Sequence, residues 1–319
     1  MIVFGPVPSR RLGRSLGINN IPPKVCTYSC VYCQLGRTLK MQTRRQAFYK
    51  PGDIVSAVRD KVLRARGAGE SIDYLTFVPD GEPTLDINLG REIELLKPLN
   101  LPIAVISNAS LIWRQDVQQD LMASDWVSLK VDAVEEQMWR RIDRPRGDLR
   151  LASLLEGVRA FSSRYHGRLA TETMIVKGIN DGVAHLEAIA DYLSQIQPGI
   201  AYLSVPTRPP AEEWAQPPNE ETLHRAYRIF RERMECVEYL IGYEGNAFAY
   251  TGDVEQDLLS ITAVHPMRED AVSDYLARAG AAWSVVHRLV AEEQLVELKH
   301  GSHKFYLRRL RAPAGDESC

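Results

Sequence analysis

The sequence predicts an α/β chain: a partial (β/α)6 TIM-like barrel with a small C-terminal winged-helix-like α+β domain. Three observations predict it. Short apolar runs alternate with segments of helical spacing from about residue 51 to residue 205, the rhythm of parallel strands with helical crossovers. Polar residues gather at the C-terminal ends of those runs, the end at which a barrel carries its active site. After about residue 263 the rhythm gives way to two amphipathic helices and two short strands, the outline of a winged helix.

The elements follow in order. An initial strand is expected near Ser15–Ile21. A helix over Pro51–Gly69 places Ile54, Val58, Val62 and Leu63 at helical spacing. IDYLTFV (72–78) is a strand, followed by a helix near 86–97, the strand PIAVIS (102–107) and a short helix near 114–123. WVSLKVD (126–132) is the next strand. Helical stretches run to about 164, then come LATETMIV (169–176), a helix near 183–195 and IAYLSV (200–205). These make six βα units over 1–205. The Pro-rich PTRPPAEEWAQPP (206–218) reads as an extended excursion across the barrel. A helix near 219–235, the run VEYLIG and a linker through Gly252 complete a barrel extension over 206–262. Residues 263–312 form the small domain, with one helix closing at Gly280, a second over AAWSVVHRLVAEEQ, and two strands around a His-Gly-Ser-His turn. Residues 313–319 read as a flexible tail.

With 319 residues, 45% hydrophobic and 25% charged, the chain has ordinary globular composition, which excludes wholesale disorder and fibrous classes. No stretch approaches 18 uninterrupted apolar residues, so no membrane partner is expected. The N-terminal apolar stretch precedes its arginines, the reverse of a secretory signal, and a cytoplasmic location is expected. Charge is segregated. Residues 1–52 hold nine Lys and Arg and no acid, within a chain whose net charge is −2. Such a segment is either a solvated basic surface or the mark of an anionic partner.

Three of the five cysteines fall within eight positions, Cys26, Cys30 and Cys33 in the run CTYSCVYC. Thiolates bind soft metals and iron–sulfur clusters, and an iron–sulfur cube takes four ligands. Three in one loop leave a position open for a distant cysteine, a histidine or a substrate. Cys236 reads as a small core residue and Cys319 as a tail thiol. A structural zinc site would draw on a second matched pair, which the sequence lacks.

This C-x3-C-x2-C, with an aromatic before its last cysteine and a place after the first barrel strand, resembles the radical S-adenosylmethionine (SAM) superfamily. FVPDGEPTLD (77–86) resembles that superfamily's GGE segment, with Asp80 in place of the first glycine. Ile106-Ser-Asn-Ala-Ser110 resembles its T-N-G segment. The run GPVPSRRLGRSLGINNIPPKVCTYSCVYCQLGRT is most similar to proteins grouped with the wyosine-type tRNA synthetases. The resemblance implies one [4Fe–4S] cluster on Cys26, Cys30 and Cys33, with SAM on the open iron. It also implies an electron donor such as a flavodoxin or ferredoxin. One electron would cleave SAM to a 5′-deoxyadenosyl radical that abstracts hydrogen from substrate, chemistry the cofactor supplies while the protein orients it.

By the same resemblance Tyr32 meets adenine through its backbone, and Glu82 accepts hydrogen bonds from the SAM amino group, a charge-assisted contact. Gly81 lets the backbone approach, and Pro83 stiffens the turn. Asn108 contacts the SAM ribose or carboxylate, or else stabilises its own turn. Two-residue alternation puts Ser128, Lys130 and Asp132 on one strand face, turned toward the cavity. There Lys130 suits a carboxylate or an anionic substrate, and Asp132 suits a ribose hydroxyl. Glu172 is a further inward polar candidate, with a structural ion pair as its rival role. Arg208 and the run Arg140, Arg141, Arg144 and Arg146 are candidate substrate clamps or solvated charges.

The substrate is expected to be anionic, RNA included, on two features. One is the basic N-terminal segment. The other is the C-terminal run LKHGSHKFYLRRLR (298–311), whose Phe305 and Tyr306 would stack on bases. Acids in the preceding helices weigh against a dedicated nucleic-acid binder. Wyosine-type synthetases use a second cluster with its own cysteines, and this chain has none to supply it. The alternatives are a small metabolite or peptide substrate with the C-terminal domain as docking module, or a redox-sensing nucleic-acid-binding regulator.

Overall fold

The computed structural model describes residues 2–241 and 245–309. Its main sheet has eight strands in the order β1-β2-β5-β6-β7-β8-β9-β10. These are β1 (Val3–Ser9), β2 (Gly13–Ile18), β5 (Tyr74–Phe77), β6 (Ile103–Ser107), β7 (Trp126–Lys130), β8 (Arg168–Met174), β9 (Ile200–Ser204) and β10 (Val237–Leu240). Two short strands, β3 (Val25–Cys26) and β4 (Lys40–Met41), pair within the cysteine segment. From β2 to β10 every neighbour is parallel, while β1 pairs antiparallel with β2.

The crossovers are helical: α1 (Pro51–Gly67), α2 (Leu89–Leu96), α3 (Gln115–Met122), α4 (Glu136–Ile142) with α5 (Leu151–Ser162), α6 (Val183–Ile196) and α7 (Glu220–Arg231). They complete the six expected βα units, and β10 follows as the extension. The start of α1 shows the local logic. Pro51 occupies the first turn, where its missing N–H costs nothing, Asp53 faces the positive end of the dipole, and Arg64 and Arg66 the negative end. Ile54, Val55, Val58 and Val62 form its buried stripe. Strands covered on both faces are nearly continuous apolar runs, as in the fully buried IAYLS of β9, where Ser204 comes only at the end that faces the site. The sheet curls without closing. Arg10, in the β1–β2 turn, donates to the carbonyls of Leu240 (2.9 Å) and Ile241 (2.5 Å) at the end of β10.

The C-terminal unit runs α8 (Val254–Val264), β11 (Met267–Arg268), α9 (Glu269–Ala279), α10 (Ser284–Ala291), β12 (Leu295–His300) and β13 (His303–Arg308). Its sheet order is β11-β13-β12. That is a winged-helix outline with one more helix than expected. The expected boundary at 263 cuts through α8, whose N-cap Asp253 accepts from the amide of Gln256. Gly280 ends α9 in the left-handed conformation, φ 64°, which glycine adopts without strain. The core of the unit gathers Leu258, Ile261, Val272, Tyr275 and Leu289, and continues into Phe4 and Val7 of β1. Residues 313–319, with Cys319, lie outside the described residues.

Candidate functional site

The three cysteines lie in a loop stitched to the rest of the barrel through its backbone. Val31 N–H donates to Ile142 O (2.9 Å), Ser29 N–H to Asp143 O (3.1 Å), and Arg146 N–H to Thr27 O (3.0 Å). The Pro-rich excursion crosses over the same loop, with Glu212 N–H donating to Val31 O (3.0 Å) and Arg208 to the side chain of Gln34 (2.6 Å). All three thiols line a cavity of about 240 Å3 at the C-terminal ends of the strands. Burial pushes Cys26 up to about 12, raises Cys30 well above the ordinary thiol range and raises Cys33. Such thiols become thiolates when a metal supplies the positive charge.

Opposite the loop lies the segment Asp80-Gly81-Glu82. Lys24 N–H donates to Asp80 O (2.6 Å), and Glu82 N–H to Val25 O (3.2 Å). A Cβ on Gly81 would sit 1.9 Å from the Val25 carbonyl oxygen, so only glycine permits this approach. Replacing Gly81 by Ala is therefore expected to push the cysteine strand off the turn, costing about 1–3 kcal/mol. Iron bound per chain after anaerobic reconstitution and the thermal midpoint should both fall; a variant that keeps both contradicts the close-packing argument.

Glu82 is engaged by its own chain. Its Oε1 accepts from Thr84 N–H (3.0 Å), Thr84 Oγ1 (2.6 Å) and Ser107 Oγ (2.8 Å), and its Oε2 from Asn108 N–H (2.8 Å). Burial raises its carboxyl while these donors pull it back. Asn108 Nδ2 donates to Thr27 Oγ1 (2.8 Å) and lies 3.5 Å from Cys26 Sγ, so one side chain links the T-N-G-like segment to the first cysteine.

On the far wall Lys130 sits 4.8 Å from the centre of the Tyr32 ring and donates to Glu172 Oε1 (3.1 Å). Arg11 pairs with Glu172 Oε2, and Ser204 Oγ donates to Oε1 (2.9 Å). Burial opposes the charge on both Lys130 and Glu172. Their mutual attraction wins, raising the lysine and lowering the carboxyl. Tyr32 OH donates to Asp132, and also to Asp143 Oδ1 (3.1 Å), which receives the Cys30 thiol at 3.4 Å.

The structure brings Tyr32, Gly81, Glu82, Asn108, Ser128, Lys130 and Glu172 to the cavity wall with the cysteines. Pro83 and Asp132 are not on it. Strand β7 ends at Lys130, so the alternation expected to carry Asp132 inward stops two residues short, and Asp132 instead anchors Tyr32. Glu172 has the ion pair of its rival role, yet still faces the cavity. Sequence reasoning missed Thr84 and Ser107, which hold Glu82, and Asp143 beside Cys30. Arg144 pairs with Glu212, Arg140 with Glu136, and Arg146 with Asp148, so three of the four candidate clamps in that run are engaged.

The donor set fits a cluster. Three buried thiols share one cavity, Gly81 lets the 80–82 turn pack against Val25 next to Cys26, and Asp80, also on the wall, has a buried Oδ1 with no hydrogen-bond partner. Among the described residues no three His, Cys, Asp or Glu side chains converge to hold a single ion. An iron–sulfur cube, by contrast, takes its thiolates at separate corners.

Comparison with known proteins agrees. The radical SAM superfamily model matches residues 20–193, and members of this superfamily use a [4Fe–4S] cluster and SAM. The chain is 45% identical to the UPF0026 protein of Methanocaldococcus jannaschii over 98% of this chain and 97% of that one. It is 31% identical to a UPF0026 protein of Helicobacter pylori over 96% of this chain and 97% of the relative. In fold it is similar to TYW1 with a lysine–pyruvate adduct bound (TM-score 0.55, 14% identity, 70% of this chain and 76% of that one). It is also similar to SuiB of Streptococcus suis (TM-score 0.53, 11% identity, 74% and 54%). With a family model spanning more than half its length and a relative nearly half identical from end to end, the chain belongs to the radical SAM superfamily and, within it, to the UPF0026 group.

Proposed function

We propose that the protein abstracts hydrogen from a small anionic substrate that enters through the cleft between the barrel and the C-terminal unit. When bound, the cluster and SAM supply one-electron cleavage of SAM and the radical that follows from it; a reduced flavodoxin or ferredoxin would deliver the electron. The chain's own residues hold the cysteine loop, keep bulk water from it, and orient the ligands through Tyr32, Asn108, Lys130 and the 80–82 turn.

The observation that carries the substrate class is where the positive charge goes. Four of the nine cations in the acid-free N-terminal segment are engaged within the fold: Arg11 with Glu172, Arg14 with Glu70, Arg37 with Glu212, and Arg45 with Asp116 and Asp120. On the expected basic wing Lys304 pairs with Glu269 and Glu297, and Arg309 with Glu293. Phe305 and Tyr306, expected to stack on bases, are buried in the unit. Two cations remain at the cleft without an ion pair among the described residues, Lys24 and Arg308. Lys24 also lines the main cavity. Two such cations, on a cleft that Asp80, Glu292 and Glu293 also line, suit a small anion better than a duplex or folded RNA, which needs a broad basic face.

The test is 5′-deoxyadenosine formation by the reconstituted enzyme, with either the dialysable fraction of a cell extract or bulk tRNA added. Stimulation by the dialysable fraction, weakened by Lys24→Met, is expected. Filter binding of tRNA at physiological salt should be no tighter than the non-specific range of about 10⁻⁴ to 10⁻⁶ M. Stimulation by tRNA alone, with tighter and steeply salt-dependent binding, would overturn the small-substrate reading in favour of RNA.

A further inference from the structure

Two carboxylates flank Gly81, and they are in opposite situations. Glu82 receives four donors from its own chain, against about four lone-pair sites on a carboxylate. Those donors come from Thr84, Ser107 and Asn108, which makes Glu82 a strut joining the turn after β5 to the end of β6. Oε1 takes three of them and Oε2 the fourth, so most of its bonding is spent within its own chain.

Asp80 is the residue by which this turn departs from the GGE pattern. It is 2% exposed, and its Oδ1 has no hydrogen-bond partner. Its backbone is fully occupied, the N–H by Asn19 Oδ1 (3.2 Å) and the carbonyl by Lys24 N–H. Only the side chain is left to act. Asp80 lines the cavity that holds the three cysteines, and it also lines two neighbouring cavities. A buried carboxylate oxygen without a partner is costly unless a ligand supplies one. Burial pushes its carboxyl up to about 7, while Arg308 and Lys24 pull the other way and a bound cation would favour the ionised form further.

The geometry points to Asp80, rather than Glu82, as the carboxylate that receives the ammonium group of SAM. This rests on the SAM-binding reading above and gives one of its contacts to a residue that the family pattern does not contain. Glu82 is then a positioning residue, acting through the turn that carries Asp80.

The experiment is equilibrium binding to the anaerobically reconstituted, unreduced protein, so that no turnover intervenes. Two probes are used, SAM and its analogue lacking the α-amino group. Asp80→Asn keeps the side-chain shape and removes the charge. It should weaken SAM binding by about 10–100-fold, as loss of a charge-assisted hydrogen bond does, and leave the deaminated analogue within about threefold. Iron and sulfide content of the variant should match wild type, which shows that the loop is intact. Glu82→Gln should lower the thermal midpoint while discriminating between the probes as wild type does.

If Asp80→Asn binds SAM like wild type, or loses both probes equally, the assignment is overturned. It is also overturned if Glu82→Gln alone loses SAM selectively. Wild-type protein that holds a cluster and binds neither probe would instead sink the SAM reading itself, an outcome readily told apart from the others.

Discussion

Cys30→Ala is expected to reduce 5′-deoxyadenosine formation with dithionite and SAM by at least about 100-fold, the upper end of what loss of a mere outer-shell partner costs a metal site. The thiol cannot be replaced from nearby. Among the described residues the fourth cysteine is Cys236, which packs with a separate apolar cluster between β6, β7 and β10. As Cys26 has Asn108 beside it, Cys30 has Asp143, 3.4 Å from its sulfur and shared with Tyr32. Its removal opens a cluster corner. The expected signature is two-fold, with iron per chain falling and the product vanishing from the chromatogram. A Cys30→Ala protein that still cleaves SAM at a wild-type rate would remove Cys30 from the ligand set.

Asp257→Ala should produce the largest loss of stability away from the site. Lys61, in α1, and Asp257, in α8, form an ion pair at 2.7 Å with almost no exposure on either side. Asp257 also accepts from Thr251 N–H (2.7 Å), Thr251 Oγ1 (2.6 Å) and Tyr275 OH (3.2 Å). Removing the carboxylate leaves a buried ammonium and three other donors without their acceptor, which costs about 3–5 kcal/mol. Urea unfolding followed by tryptophan fluorescence should show the midpoint fall. Replacing both partners by apolar residues, Lys61→Met with Asp257→Leu, should recover most of it, because no charge is left unpaired. If the single and double variants unfold together, the pair is not what holds α8 against α1.

The barrel is legible in the sequence because strands covered on both faces must be continuous apolar runs, and crossovers must show helical spacing. Strand β1 is hidden for a physical reason. Val3–Ser9 contains Pro6 and Pro8, which a strand tolerates only where it lies at the edge of a sheet, as β1 does. The cysteine loop and the 80–82 turn are legible as local strings. The pairing of charges is not, since Arg11 meets Glu172 across 161 positions and Arg37 meets Glu212 across 175. An acid-free stretch thus looks like an outward basic face when its counter-charges arrive from the other end of the chain. Asp143 is concealed differently, as a lone acid inside a run of arginines. The state of Glu82 shows only once Ser107 and Asn108 are brought beside it.

The shared core of β1 and the C-terminal unit bears on how the molecule is made. Phe4 and Val7 leave the ribosome about 240 residues ahead of Phe248, the first of the C-terminal residues that cover them. Domains fold in order as they emerge, so the barrel is assembled with one edge still bare. Phe4 lies against Gly17, where any side chain would collide with its ring, and the strand can wait there in place. Until residues 248–306 emerge, that apolar edge stays exposed to solvent. A ribosome stalled before residue 248 would therefore display a nascent barrel whose first strand is still waiting for its cover.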